Sequence, residues 1–73
     1  MRLDKFLKNN HIIKRRVMAQ DAIKKGFILK NGNRTKPGAE IRDDDIIQIN
    51  FSNRTLKIKV VNDKAEFIEE VIK

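Results

Sequence analysis

Lys14-Arg15-Arg16-Val17-Met18-Ala19-Gln20-Asp21-Ala22-Ile23-Lys24-Lys25-Gly26 carries the chain's one run of three consecutive cations, and it is patterned as a helix. Met18, Ala19, Ala22 and Ile23 make one apolar stripe, while Arg16, Gln20 and Lys24 follow one another at i+4 on a neighbouring polar face. Asp21 precedes Lys25 by four residues, a favourable pairing. Gly26 reads as the C-terminal cap, where left-handed backbone costs glycine little. Lys24 and Lys25 suit a helix C-terminus, so they are expected to serve the helix itself. Lys14, Arg15 and Arg16 do not: a helix start is already partly positive and prefers acids. A local rule broken without structural gain points to function, and a polyanion at the helix start would offset the cost.

Upstream, Leu3, Phe6 and Leu7 stand at helical spacing and predict a short first helix. Asp4 suits its cap or first turn, and pairs at i+4 with Lys8. Asn9 and Asn10 are expected to end it. His11 is expected to face solvent or pack, since no partner for it is visible. Downstream the pattern turns to β. Phe27–Lys30 predicts a strand, Asn31-Gly32 a tight turn, and Asn33–Thr35 the returning strand. Lys36-Pro37-Gly38 marks a loop, and Ile41 a buried anchor. Ile46–Phe51 and Leu56–Val60 alternate as the two strands of a hairpin across Ser52-Asn53-Arg54. Asn62-Asp63 reads as the cap of a short C-terminal helix carrying Ala65, Phe67, Ile68, Val71 and Ile72. The expected organisation is one α+β domain over residues 1–61 followed by a C-terminal segment, 62–73.

Composition narrows the function. Seventy-three residues hold one domain and leave little room for a catalytic cavity. There is no cysteine and only one histidine, so thiol chemistry and histidine-rich metal sites are excluded. Asp43-Asp44-Asp45 lacks the spacing of a calcium loop. No apolar run approaches a membrane span or a secretory signal, which makes a soluble cytoplasmic protein the expectation. Met1, just before the first helix, favours a complete gene product. Net charge is +7, yet residues 1–38 hold eleven Lys or Arg against two Asp, and residues 39–73 hold six against eight acids. Halves this unequal point to nucleic acid or an anionic surface.

The ordered set Arg2-Leu3-Asp4, Leu7, Arg16, Ala19, Ile23, Gly26, Ile28, Asn31-Gly32, Lys36-Pro37, Ile41 and Asp45-Ile46 resembles the RNA-binding domain named after small-subunit ribosomal protein S-four, the αL motif. The resemblance covers about residues 1–61 and implies two antiparallel helices on a small, twisted, mainly antiparallel sheet. Met1–Lys8 and Ile13–Arg16 are most similar to its stand-alone, ribosome-associated quality-control members. That implies binding to 23S rRNA of a large subunit still carrying peptidyl-tRNA, in support of a tailing factor that adds alanine to the stalled chain. The heat-shock branch is the close alternative; the short C-terminal segment and the wealth of Lys, Ile and Asn favour the quality-control branch. Against the family pattern, Arg15 replaces a frequent Ser, Lys30 a usually inward apolar residue, and Asp44 a frequent turn glycine.

The expected site binds and does no chemistry: no catalytic residue, metal or cofactor is assigned. Arg2 and Arg16, which match RNA-contacting family positions, lead a surface made with Lys5, Lys14 and Arg15, and Lys8, Arg34 and Lys36 edge it. Asp4 is expected to cap the helix or orient one of the arginines. With four Phe and neither Trp nor Tyr, most rings are expected in the core, which leaves phosphate and shape recognition rather than base stacking. The protein is expected to act as a monomer without membrane contact. A DNA-binding helix-turn-helix is the rival class, but only Gln20 joins the cations as a base reader. Catalytic domains that this domain type often accompanies, and nucleotide-binding glycine motifs, are missing.

Overall fold

The computed structural model describes all 73 residues. Two helices, α1 (Leu3–Asn9) and α2 (Arg16–Lys24), precede five strands: β1 (Ile28–Lys30), β2 (Asn33–Arg34), β3 (Ile46–Asn50), β4 (Arg54–Val61) and β5 (Lys64–Ile72). The strands form one antiparallel sheet in the order β2-β1-β3-β4-β5. Alternation along β3 and β4 sends Ile47, Ile49, Leu56, Ile58 and Val60 to the buried side. There they meet Leu3, Phe6 and Leu7 of α1 and Ala19 and Ile23 of α2, with Ile28 and Ile41 completing the core. No helix is long and apolar enough to cross a membrane.

Both helices end in the same way. After α2, Gly26 takes φ +83°, with its N–H donating to Ile23 and that of Phe27 to Ala22. This closes the last turn as a Schellman motif. After α1, His11 rather than Asn9 or Asn10 takes the left-handed position, at φ 58°, with N–H bonds from His11 to Lys8 and from Ile12 to Leu7. Asn10 is used instead as a strut. Its Nδ2 donates to the carbonyls of Phe6 and Asp63, and its Oδ1 accepts the N–H of Ala65. The end of α1 is thereby fastened to the β4–β5 hairpin.

The C-terminal segment is a strand, not the expected helix. Asn62 and Asp63 both take positive φ (50° and 62°), which makes them the two-residue turn of a hairpin instead of a helix cap. The segment then pairs along eight residues of β4, with a bulge at Lys57/Ile58. An open edge on an eight-residue strand outweighs the helical spacing of Ala65, Ile68 and Ile72, because pairing satisfies a whole row of backbone groups.

Three other expectations are corrected. α2 begins at Arg16, with Arg15 extended at φ −123° and ψ 138°, so Lys14 and Arg15 stand outside the helix; starting later keeps two cations off its positive end. Met18 is 56% exposed and does not join the stripe of Ala19 and Ile23. Only Phe6 of the four rings is fully buried; Phe27 and Phe67 lie at 52% and 67% exposure. Lys30 is accommodated by sending its Nζ to the carbonyl of Glu40 at 3.0 Å. Asp44 takes φ 73° in place of a glycine.

Candidate nucleic-acid interface

Asp4 is the one polar or charged residue in the buried set, fully enclosed in the first turn of α1. Its backbone is placed by the 36–40 loop: the N–H of Leu3 donates to Ala39 and that of Asp4 to Pro37, which satisfies helix-start donors that no side chain caps. The carboxylate then collects four donors. Oδ1 accepts the N–H of Lys5 at 2.8 Å. Oδ2 accepts Nη2 of Arg2 at 3.1 Å, Nε of Arg16 at 3.3 Å and Nε2 of Gln20 at 2.9 Å. Burial raises the Asp4 pKa, but the bonds from Gln20, Arg16 and the Lys5 N–H outweigh it and hold the group below its ordinary value. Asp4 is therefore an anion at neutral pH, and it orients both arginines where one was expected.

The two arginines are not consumed by this contact. Their side chains remain 49% and 42% exposed, each with further donors free of Asp4. Arg2 stands over Gly38, whose position allows only ordinary contact between an added Cβ and the guanidinium, 3.5 Å from Nη2. The loop carrying Lys36 therefore flanks Arg2. Arg16 and Gln20, one turn apart, reach Asp4 from α2. The arrangement is a clamp: one buried negative charge fixes two guanidinium groups from different elements, and their outer edges point to solvent. Planar forks held in this way suit phosphate oxygens, which they can engage through paired hydrogen bonds.

The other expected residues divide. Lys5, Lys8, Lys14, Arg15 and Lys36 are exposed and make no ion pair, so their charge is available to a ligand. Arg34 plays a structural part instead, because its Nη2 donates to the carbonyl of Lys24 at 2.9 Å and neutralises the end of α2. Lys25 pairs with Asp21 at 3.0 Å, as a helix-end cation should. Gln20 joins the site without having been expected there, although its i+4 spacing from Arg16 is visible in the sequence. The acidic triplet diverges into three separate roles. Asp43 accepts the N–H of Asn62, Asp44 lies 3.8 Å from Lys59, and Asp45 accepts the N–H of Arg42.

Two helices that hold two arginines on one buried carboxylate and pack on an antiparallel sheet define the class of fold, and comparison with known proteins gives that class its family. A family model described as S4 domain matches residues 1–47. The RQC P-site tRNA stabilizing factor of Halalkalibacterium halodurans is 39% identical over 70 residues, 96% of this chain and 80% of that protein. The protein of the same name from Streptococcus pneumoniae is 42% identical over 64 residues, 88% and 73% of the two chains. Among solved structures, the trimeric structure of Vibrio cholerae Heat Shock Protein 15 superposes with a TM-score of 0.73 at 26% identity, covering 90% of this chain and 69% of that one. The chain belongs to the S4 domain family.

Proposed function

We propose that this protein binds 23S rRNA on a large ribosomal subunit carrying obstructed peptidyl-tRNA and supports ribosome-associated quality control, in which a tailing factor extends the stalled chain. The observation that carries the reading is the Asp4 clamp, which holds Arg2 and Arg16 half-exposed, with the exposed cations Lys5, Lys14 and Arg15 close to them in the chain. The shared name of the two relatives supports P-site tRNA as a ligand of this chain as well. The protein works by binding, without catalysis, as a cytoplasmic monomer. Arg2, Arg16 and the surrounding lysines engage phosphates, with Lys8 and Lys36 at the rim. Gln20 keeps Asp4 in place below them. Because the clamp contains no ring, it reads backbone geometry rather than base sequence.

Affinity for subunits measured across a salt series tests this reading. The logarithm of the binding constant should fall linearly with log salt, by about 0.7 to 0.9 per phosphate neutralised. Structured ribosomal RNA should outcompete duplex DNA; preference for the duplex would favour the helix-turn-helix class. A heat-shock-type rescue role is the second reading, favoured by the superposition on Heat Shock Protein 15. Recovery of the tailing factor together with tRNA-bearing subunits supports the first reading, and recovery of those subunits without it supports the second.

A further inference from the structure

The clamp uses only one flank of α2. Arg16 and Gln20 lie to one side of the buried Ala19 and Ile23 and reach Asp4. Met18 and Ala22 lie to the other side, where with Ile13, Phe27 and Phe51 they wall a groove of about 570 Å³. That size falls within the roughly 300–1,000 Å³ of small-ligand pockets. Phe27 and Met18 keep more than half of their surface in solvent, so a flat ring and a thioether stand bare there. The backbone of Phe27 is fixed on both sides: its N–H donates to Ala22, and its carbonyl accepts the N–H of Asn50 at 2.8 Å. Polar groups gather on one wall, at Asn50 and Ser52. Oδ1 of Asn50 accepts Nε2 of Gln48 and Oγ1 of Thr55, both at 3.1 Å, which leaves the two Nδ2 donors for a ligand.

We propose, on the strength of the RNA-binding reading above, that this groove takes one unstacked nucleobase of the strand bound at the clamp. The Phe27 ring and the Met18 sulfur would lie against the face of the base, and Asn50 and Ser52 would meet its polar edge. The surroundings select this occupant. Ile13 lines the groove and Arg16 reaches Asp4, so the two residues between them, Lys14 and Arg15, join groove to clamp. Both are exposed and without an ion pair, which suits the phosphates that accompany a base. No Asp or Glu lines the groove, and the one acid of α2, Asp21, is already paired with Lys25 at 3.0 Å. A basic peptide would therefore find no partner charge. A second copy would bring the same two cations to the same border. The groove thus adds base contact to a clamp that contains no ring.

Two RNA hairpins with the same stem test this, one with an all-adenosine loop and one with the same loop abasic. They carry equal numbers of phosphates, so the difference between them reads the base alone. The folded protein should bind the adenosine hairpin about tenfold more tightly. Chemical shifts induced only by that hairpin should fall on Ile13, Met18, Phe27, Asn50 and Ser52. Phe27→Ala should erase the preference while keeping the affinity for the abasic hairpin, and Phe27→Tyr, which keeps a ring, should retain it. Met18→Ser, at an exposed helix position, should weaken the preference without touching the sheet. Equal binding of both hairpins by wild type, with salt dependence intact, would overturn the groove assignment and leave the clamp standing. Binding of neither hairpin at low salt would overturn the RNA reading and the groove together. A glutamate–leucine peptide that shifts the same residues at lower concentration than the adenosine hairpin would make a protein segment the occupant. A smaller sedimenting mass for Phe27→Ala than for wild type would make it a second copy. Either result would overturn the proposal.

Discussion

Arg2 and Arg16 converge on a single atom: Nη2 of the first and Nε of the second lie 3.1 and 3.3 Å from Oδ2 of Asp4. The two guanidinium groups would repel each other without the carboxylate between them. Burying Asp4 strengthens its hold on both, and the Gln20 amide and Lys5 N–H complete its hydrogen bonding. The proposed binding surface is thus built around an acid that no ligand is expected to touch.

Asp4→Asn removes the charge and sets an amide N–H2 against a site made of donors. A buried hydrogen-bonded charge of this kind is worth about 2 kcal/mol. The variant should unfold at lower urea by that amount and lose affinity for large subunits, with the lost affinity expected even where the variant is fully folded. Stability and subunit binding both at wild-type levels would show that Asp4 does not organise the arginines.

The same group sets part of the acid limb. The folded pKa of Asp4 is depressed, so its contribution to stability is complete above its unfolded value near 4 and drains as pH falls through the folded value. Asp45 behaves alike: burial raises its pKa, but bonds from the Arg42 N–H and the Asn31 amide lower it further. Wild-type Tm should therefore drop below about pH 4, and Asp4→Asn should drop less steeply, with Asp45 and Glu40, whose carboxylate the Met1 ammonium holds below its usual value, supplying the remainder. Parallel curves for the two proteins between pH 6 and pH 2 would contradict this.

Much of this arrangement is legible in residue types. Leu3, Phe6 and Leu7 announce α1, Gly26 the end of α2, Asn31-Gly32 the first turn, and the alternation from Ile46 to Val60 the central hairpin. Arg2 and Arg16 are legible as a pair only through family resemblance. What resists reading depends on contacts distant in the chain. β5 has helical spacing in isolation and becomes a strand because β4 offers an open edge. The role of Asn10 rests on Asp63 and Ala65, 53 and 55 residues away. Arg34 looks like one more free cation until the fold brings it to the Lys24 carbonyl.

Asn10→Ala isolates one of those long-range ties. It deletes three hydrogen bonds at the junction of α1 and the β4–β5 turn and leaves the Ala65 N–H without its partner. The cost should be about 1–2 kcal/mol, and exchange of the Ala65 amide should accelerate more than that of β3 amides. Equal protection of the Ala65 amide in both proteins would show the strut to be dispensable.

Gly26→Ala examines the Schellman ending of α2. An added Cβ would sit 3.0 Å from the Arg34 guanidinium carbon, which a flexible side chain can relieve, but φ +83° remains. Left-handed backbone should cost the variant about 1–2 kcal/mol. Urea denaturation would measure this, and an unchanged midpoint would mean that the turn relaxes freely.

The central claim is that Arg2 and Arg16, held on Asp4, are the RNA contact. Co-sedimentation of Arg2→Ala/Arg16→Ala with purified large subunits tests it most directly. Gln20 and the Lys5 N–H still hold Asp4 in that variant, so circular dichroism should match wild type while association is lost. Sedimentation with subunits at wild-type levels, with the same spectrum, would contradict the account.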